Sequence, residues 1–287
     1  MSGLRYLRPA RVSDALRDLS EWGHQARVLA GGTDLLVRMR QGTVKPEVIV
    51  DIGAIEELRG VRHSSGYVAV GALTTHGEIE QSPELAAWAR VLCNASREVG
   101  SAQVRNRGTL GGNLANASPA GDTLPALYVL DAEVHLLRVG GERWVPIADF
   151  FTGPGKTACQ ADELLAEVRF RPTEPGEKSF FRKIGQRRAV RIAKASAAGV
   201  MLLDGDIVRR CRVALGALAP TVIRLPLLEE YLTGRQLTPE TIDWAAAIAG
   251  EACQPITDIR STTAYRRHVA AVLVERGIRG AIAEGED

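Results

Sequence analysis

Two glycine pairs, Gly31-Gly32 and Gly111-Gly112, constrain this chain more than any other feature of its sequence, because each joins an apolar run to a polar segment. Adjacent glycines let a backbone turn sharply and approach a neighbour or a bulky ligand that a Cβ would exclude. The run ARVLA (26–30) reads as a strand, DLLVRMRQ (34–41) as a helix closed by Gly42, and VIVDI (48–52) as the strand that a βαβ crossover would return to. Exposed N–H groups at such a turn can hold phosphate oxygens. Equally, Gly31-Gly32 can be a plain strand-to-helix turn with Asp34 as cap. The segment VLAGGTDL (28–35) is neither a Walker A loop nor a GxGxxG fingerprint, which argues against ATP and against a Rossmann-bound nicotinamide.

The second pair lies in TLGGNLANASPAGD (109–122), within a polar stretch from Gly100 to Asp122 that shows little periodicity and is long for a loop in a compact domain. Hydroxyls, amides and the Asp122 carboxylate make it rich in polar groups. It reads either as a polar surface loop or as a wrap for a dinucleotide, with N–H and hydroxyl groups toward phosphates and a carboxylate accepting from ribose. Two such cradles fit a ligand with a pyrophosphate in its middle.

Around these segments the pattern predicts a Ser13-capped helix ended by Gly23, a hairpin of RGVRH and YVAVGAL, and helices beginning at Thr74 and Pro83. A helix capped by Asp122, a hairpin turning at Gly140-Gly141 and a strand DELLAEVRF follow. Prolines, glycine and charges cluster in RPTEPGEK (171–178), marking a domain boundary. Beyond it, three strands (FFRKI, KASAAGVMLL, IVRRCRVALGAL) precede three helices beginning near Arg224, Thr238 and Ser261, a small α+β layer domain. The chain of 287 residues is long enough for two modest domains. Its net charge of +2, with scattered basic residues, offers no nucleic-acid or anionic-membrane face. No apolar run reaches the ~18–20 residues of a membrane span, and the N-terminus lacks a signal core, so the expected location is cytoplasmic. Cys93, Cys159, Cys211 and Cys253 are dispersed without a CxxC pair and read as buried thiols, not metal ligands. His24, His63, His76, His135 and His268 share no motif, and Trp144 and Trp244 read as packing residues.

AGGTDLLVRMRQG (30–42), VGALTTHGEIEQSP (70–83), VRNRGTLGGNLANASPAGDTLPAL (104–127) and FRKIGQRRAVRIAKASAA (181–198) together resemble the FAD-binding medium subunit of molybdenum hydroxylases, the xanthine dehydrogenase and aerobic carbon monoxide dehydrogenase family. The likeness runs over nearly the whole chain. It implies an α+β fold: a two-subdomain, PCMH-type FAD-binding domain at 1–176, with subdomains at about 1–55 and 56–176, then a small C-terminal domain at 177–287. The turn Leu29, Ala30, Gly31, Gly32, Thr33, Asp34, Leu35 would meet the FAD pyrophosphate. Thr109, Gly111, Gly112 and Asn113, with Ser118 beyond them, would form the second cradle. Asp122 matches the family aspartate near the adenosine end, and Lys183 a basic position before the RIAKAS stretch. Val99 and Ile192 stand where other members carry aromatics beside the flavin. The FAD is expected to be non-covalent, since no histidine falls within either cradle.

No catalytic base, nucleophile or metal constellation stands out, so no catalytic residue is assigned; in a flavoprotein the cofactor carries the redox chemistry. The resemblance implies an electron-transfer subunit working with a molybdopterin-binding large subunit and a small subunit bearing two 2Fe-2S clusters. Electrons would pass to NAD or a quinone-like acceptor, in a dimer of heterotrimers. The cysteine-bearing insertion that holds a 4Fe-4S cluster in one branch of the family is missing from the sequence. A self-sufficient FAD oxidoreductase and a non-catalytic nucleotide-binding subunit are the alternatives. The basic cluster Lys183, Arg187, Arg188 and Arg191 reads as a solvated strand end or a partner contact.

Overall fold

The computed structural model describes residues 3–186, 191–254 and 262–283. The chain divides into two compact units, one comprising Met1–Ile79, Ala102–Ala117 and Ala132–Arg171, the other Glu80–Ser101, Ser118–Asp131 and Pro172–Asp287.

The first unit holds two main sheets. Strands β1 (Arg5–Leu7), β2 (Ala26–Leu29) and β3 (Val48–Asp51) form a parallel sheet in the order β1-β3-β2, so the βαβ crossover expected across Gly31-Gly32 is present. The three-residue β1 is too short to show periodicity and was not legible in the sequence. Helix Val12–Trp22 buries Ala15 and Leu19 beside Val48, Val50 and Ile52, and ends at Gly23 with φ +43°. Its N-cap is Arg11, with Ser13 already inside the helix, so the expected serine cap does not form. The second sheet is antiparallel: β4 (Val61–Ser64), β5 (Tyr67–Gly71), β6 (Glu133–Arg138) and β7 (Gly141–Pro146) are the two expected hairpins. Past the short pair β8 (Phe151–Gly153) and β9 (Lys156–Thr157), β10 (Leu164–Phe170) inserts between the hairpins to give the order β4-β5-β10-β6-β7. Alternate residues Leu164, Ala166, Val168 and Phe170 are buried along β10, as expected of a central strand. Trp144 packs as predicted, stacked on His135 at 4.1 Å with the Arg169 guanidinium 3.7 Å from its ring centre.

The second unit is built on β11 (Lys178–Ile184), β12 (Ala195–Asp204), β13 (Ile207–Gly216) and the two-residue edge strand β14 (Ile223–Arg224), paired antiparallel in that order. Helices Pro226–Leu232, Pro239–Ala252 and Thr263–Ala283 follow, close to the three positions expected. Thr238 caps the second of them, accepting from the Thr241 N–H at 3.2 Å, with Pro239 in the first turn. Their apolar faces close a core of Phe180, Ala197, Met201, Val213, Leu228, Ala245, Val269 and Val274. Phe180 occupies the space left by Gly199 and Gly277, where a Cβ would overlap its ring. Trp244 is 65% exposed, contrary to the packing role expected of it, because the buried stripe of its helix runs through Ile242, Ala245, Ala246 and Ala249. The long helix predicted from Pro83 is two, Pro83–Trp88 and Arg90–Arg97, broken at Ala89 with φ −159° and ψ 52°.

Candidate functional site

In the first unit the two glycine segments are neighbours. Gly31 lies so close to the Arg107 carbonyl that a Cβ on it would overlap that oxygen, and a Cβ on Gly108 would crowd the Val104 carbonyl, the His76 ring and the Thr33 hydroxyl. A side-chain clasp joins the same segments: Asn116 donates to the Asp34 carboxylate at 3.2 Å and accepts from Arg38 at 3.3 Å. Gly32 has φ +78°, a conformation that glycine adopts without strain. Leu29, at the end of β2, and Ala30 lead into the turn, and Leu35 begins a six-residue helix whose N-cap Asp34 makes no side-chain capping bond. Among the described residues, the backbone N–H groups of Gly31, Gly32, Thr33, Asp34 and Leu35 meet no acceptor within the protein. Gly31, Gly32, Thr33 and Leu35 are half-buried and Asp34 is exposed, so these donors are open to water or to a ligand, and a run of them at a left-handed turn is suited to an anion.

The polar stretch expected to lack regular structure carries two short helices, Ala102–Arg105 and Leu110–Asn116. Thr109 starts the second, its hydroxyl accepting from the Gly112 N–H at 3.1 Å, and Ala117 stops it in the left-handed region. Here the N–H groups are engaged: Leu110 donates to Thr74 O, Gly111 to Ala72 O and Asn113 to Thr109 O. Gly111 is buried against Ala72, with room for no side chain, while Gly112 and Asn113 are half-buried. The helical spacing of Leu110 and Leu114, both buried, was the signal for this element, masked by the flanking glycines.

His76 belongs to no motif that marks it as functional in the sequence. It is 2% exposed, its N–H bonded to Gly108 O at 3.0 Å and its Nδ1 without a partner. Burial, aided by the positive charge of Arg105, lowers its pKa to about 4, so the ring is neutral. His76 stands within VGALTTHGEIEQSP (70–83).

In the second unit Asp122 precedes helix Thr123–Val129 but makes no side-chain cap, contrary to expectation. Its Oδ2 instead accepts from Lys183 Nζ at 2.6 Å, and Lys183 also donates to the Glu98 carbonyl at 3.0 Å. The Lys183 side chain is wholly buried, so it belongs to no solvated basic face. Arg191 pairs with the Glu98 carboxylate at 2.7 Å, whereas Arg187 and Arg188 lie outside the described residues. Val99 is half-buried and Ile192 is 62% exposed. Ser118 caps the turn that follows it, accepting from Ala120 N–H at 3.3 Å.

Among the described residues no three His, Cys, Asp or Glu side chains converge as a metal site, and no helix is long and apolar enough to cross a membrane. Cys93, Cys211 and Cys253 are buried and Cys159 is half-buried. Burial holds their thiols high, at about 11 for Cys93 and Cys253 and about 12 for Cys159 and Cys211, so none is a nucleophile at neutral pH.

Residues 2–172 match the model of the FAD binding domain in molybdopterin dehydrogenase, and residues 180–281 that of the CO dehydrogenase flavoprotein C-terminal domain. The chain belongs to the FAD-binding medium subunits of the molybdenum hydroxylases. It is 34% identical over 278 residues to the carbon monoxide dehydrogenase medium chain of Hydrogenophaga pseudoflava, covering 96% of both chains. The nicotine 6-hydroxylase medium subunit of Paenarthrobacter nicotinovorans is 31% identical over 280 residues, with 97% of both covered. A chain of the solved carbon monoxide dehydrogenase from Hydrogenophaga pseudoflava, a form lacking the Mo-pyranopterin moiety, superposes with a TM-score of 0.94 at 33% identity, over 98% of this chain and 97% of that one. This medium subunit is therefore part of an oxidoreductase, and FAD is its cofactor. The unengaged N–H groups at Gly31 to Leu35 are donors of the kind that an anionic group of that cofactor accepts from, whereas the close approach that Gly31 permits is to the Arg107 carbonyl.

Proposed function

We propose that this medium subunit relays electrons, receiving them from two 2Fe-2S clusters on a small partner subunit and delivering them to NAD or a quinone-like acceptor. Substrate oxidation would occur on a molybdopterin-binding large subunit, the three chains assembling as a dimer of heterotrimers. FAD, when bound, supplies redox chemistry that no side chain of this protein provides.

The observation that carries the reading is the row of unengaged N–H groups from Gly31 to Leu35. In this proposal they hold the pyrophosphate of FAD, and Thr33 adds its hydroxyl. The helix begun by Thr109 acts chiefly as a rigid backing, since its own first N–H groups are already bonded. Asn116 keeps the two segments in register through Asp34 and Arg38. In the second unit, Asp122 offers its carboxylate to a hydroxyl of FAD, and Val99 and Ile192 offer aliphatic surface to the flavin ring. Such a division, with the protein supplying position and electrostatics, is usual where a cofactor does the chemistry.

The test is reconstitution of the purified subunit with its molybdopterin and iron–sulfur partners. Removal of FAD should abolish electron delivery to the terminal acceptor while leaving reduction of the 2Fe-2S clusters by substrate intact. Acceptor reduction unchanged after FAD removal would refute the relay. Substrate turnover by this chain alone with FAD would favour the self-sufficient oxidoreductase instead.

A further inference from the structure

Asp34 is the acidic residue of a turn whose free N–H groups suit an anion, yet its own carboxylate is held away from them. An aspartate at the start of a helix ordinarily accepts from the N–H two or three positions on. Leu36 N–H is taken by Gly32 O at 3.2 Å, but Val37 N–H, like those of Gly31 to Leu35, meets no acceptor among the described residues. Asp34 does not claim it. Its side chain makes no capping bond, and its backbone, at φ −107° and ψ −51°, is helical, whereas a capping residue is extended. The carboxylate instead accepts from Asn116 Nδ2 at 3.2 Å, across 82 positions of sequence. Arg38 fixes the same amide from its other end, donating from Nη1 to Asn116 Oδ1 at 3.3 Å. Turned end for end, the amide would set its NH2 against the guanidinium and its oxygen against the carboxylate, so the two bonds select one orientation. Asn116 is half-buried in helix Leu110–Asn116 while Asp34 and Arg38 are exposed, so the asparagine is the anchored member of the clasp.

We propose that Asn116 is a positioning residue for FAD, acting through Asp34, whose carboxylate it withholds from the donors that the pyrophosphate takes. The inference rests on the reading that the turn from Gly31 to Leu35 holds that pyrophosphate, and it goes beyond the keeping of two segments in register. A released Asp34 swings to the extended conformation, bonds Val37 N–H and brings its negative charge onto the turn. There it repels an arriving pyrophosphate, since like charges a few ångströms apart oppose one another even in a well-solvated setting. With the clasp closed, the carboxylate is spent on an amide and the N–H row stays open to the cofactor.

Titration of the full-length apoprotein with FAD, followed by quenching of flavin fluorescence, tests this as a pair of double-mutant cycles. Asn116→Ala should weaken FAD binding about fivefold, the strength of one capping bond. Adding Asp34→Ala, which keeps the backbone N–H, should restore most of that affinity, because the competing carboxylate is gone. Arg38→Met changes an exposed side chain and leaves the amide free to turn, so it should weaken binding in the same direction, and Asp34→Ala should again reverse the loss. Rescue is the signature of withholding: a residue needed only for register or for folding is not rescued by deleting a second contact. Losses that persist or deepen in both double variants would overturn the inference, as would unchanged affinity in both Asn116→Ala and Arg38→Met. Failure of the wild-type chain to bind FAD would instead refute the reading of the turn as the cofactor site, a result that needs no variant to fold.

Discussion

Replacing Gly111 with alanine sets helix propensity against packing, and the structure decides which wins. Gly111 lies in helix Leu110–Asn116, where alanine is favoured by up to ~1 kcal/mol over glycine. Its Cβ, however, would lie 2.6 Å from the Ala72 Cβ and 2.9 Å from the Ala72 oxygen. Carbon atoms pack at about 3.5–4.0 Å, so the helix start would have to withdraw by about 1 Å. Overpacking of that kind costs ~1–3 kcal/mol. The same movement stretches the bonds from Gly111 N to Ala72 O at 2.9 Å and from Leu110 N to Thr74 O at 3.0 Å, each worth ~1 kcal/mol. Net destabilisation of about 2–3 kcal/mol follows, lowering the melting temperature of the first unit by about 4–10 °C on the scale of domains of this size. The assay is thermal and denaturant unfolding followed by far-UV circular dichroism, with flavin fluorescence quenching for FAD affinity. The Ala72→Gly change, by removing one of the clashing carbons, should recover part of the loss in the double variant. A Gly111→Ala protein as stable as wild type, or more so, would show that propensity governs the site and would refute the close-packing argument.

Two further outcomes follow from buried residues. Either Gly199→Ala or Gly277→Ala should destabilise the second unit by about 1–3 kcal/mol in denaturant titrations, because each Cβ would overlap the Phe180 ring; a neutral effect would mean that the ring is free to move. For His76, the folded-state pKa of about 4 lies below the value of 6.5 in the unfolded chain. The unfolded state then binds more protons between these values, so stability is full above pH 6.5 and falls by on the order of 3 kcal/mol as pH drops toward 4. Asp122, whose pKa is raised, works in the opposite sense below pH 6. Comparing wild type with His76→Gln therefore isolates the histidine contribution, and identical pH–stability curves for the two would disprove it.

Local chemistry made much of this protein legible. The strand, glycine turn and helix around Gly31-Gly32, both hairpins of the antiparallel sheet and the Thr238-Pro239 helix start depend on period and on turn residues that act over a few positions. The order of glycines, hydroxyls and amides in TLGGNLANASPAGD, with three other stretches, was enough to indicate the family and its cofactor. Other features depend on contacts across long sequence separations. Asn116 reaches Asp34 and Lys183 reaches Asp122 only after the chain has folded, and no pattern near either residue encodes its partner. Whether the N–H groups of a glycine loop are free is likewise a tertiary fact. Those at Gly31 to Leu35 face no acceptor, whereas Gly111 and Leu110 lie beside Ala72 and Thr74 and bond to them. Sequence by itself determined where the backbone could turn, because only the residue and its neighbours set that freedom. Tertiary structure decided which donors remain for a ligand and which charge is buried, because those depend on what the rest of the chain brings within 3 Å.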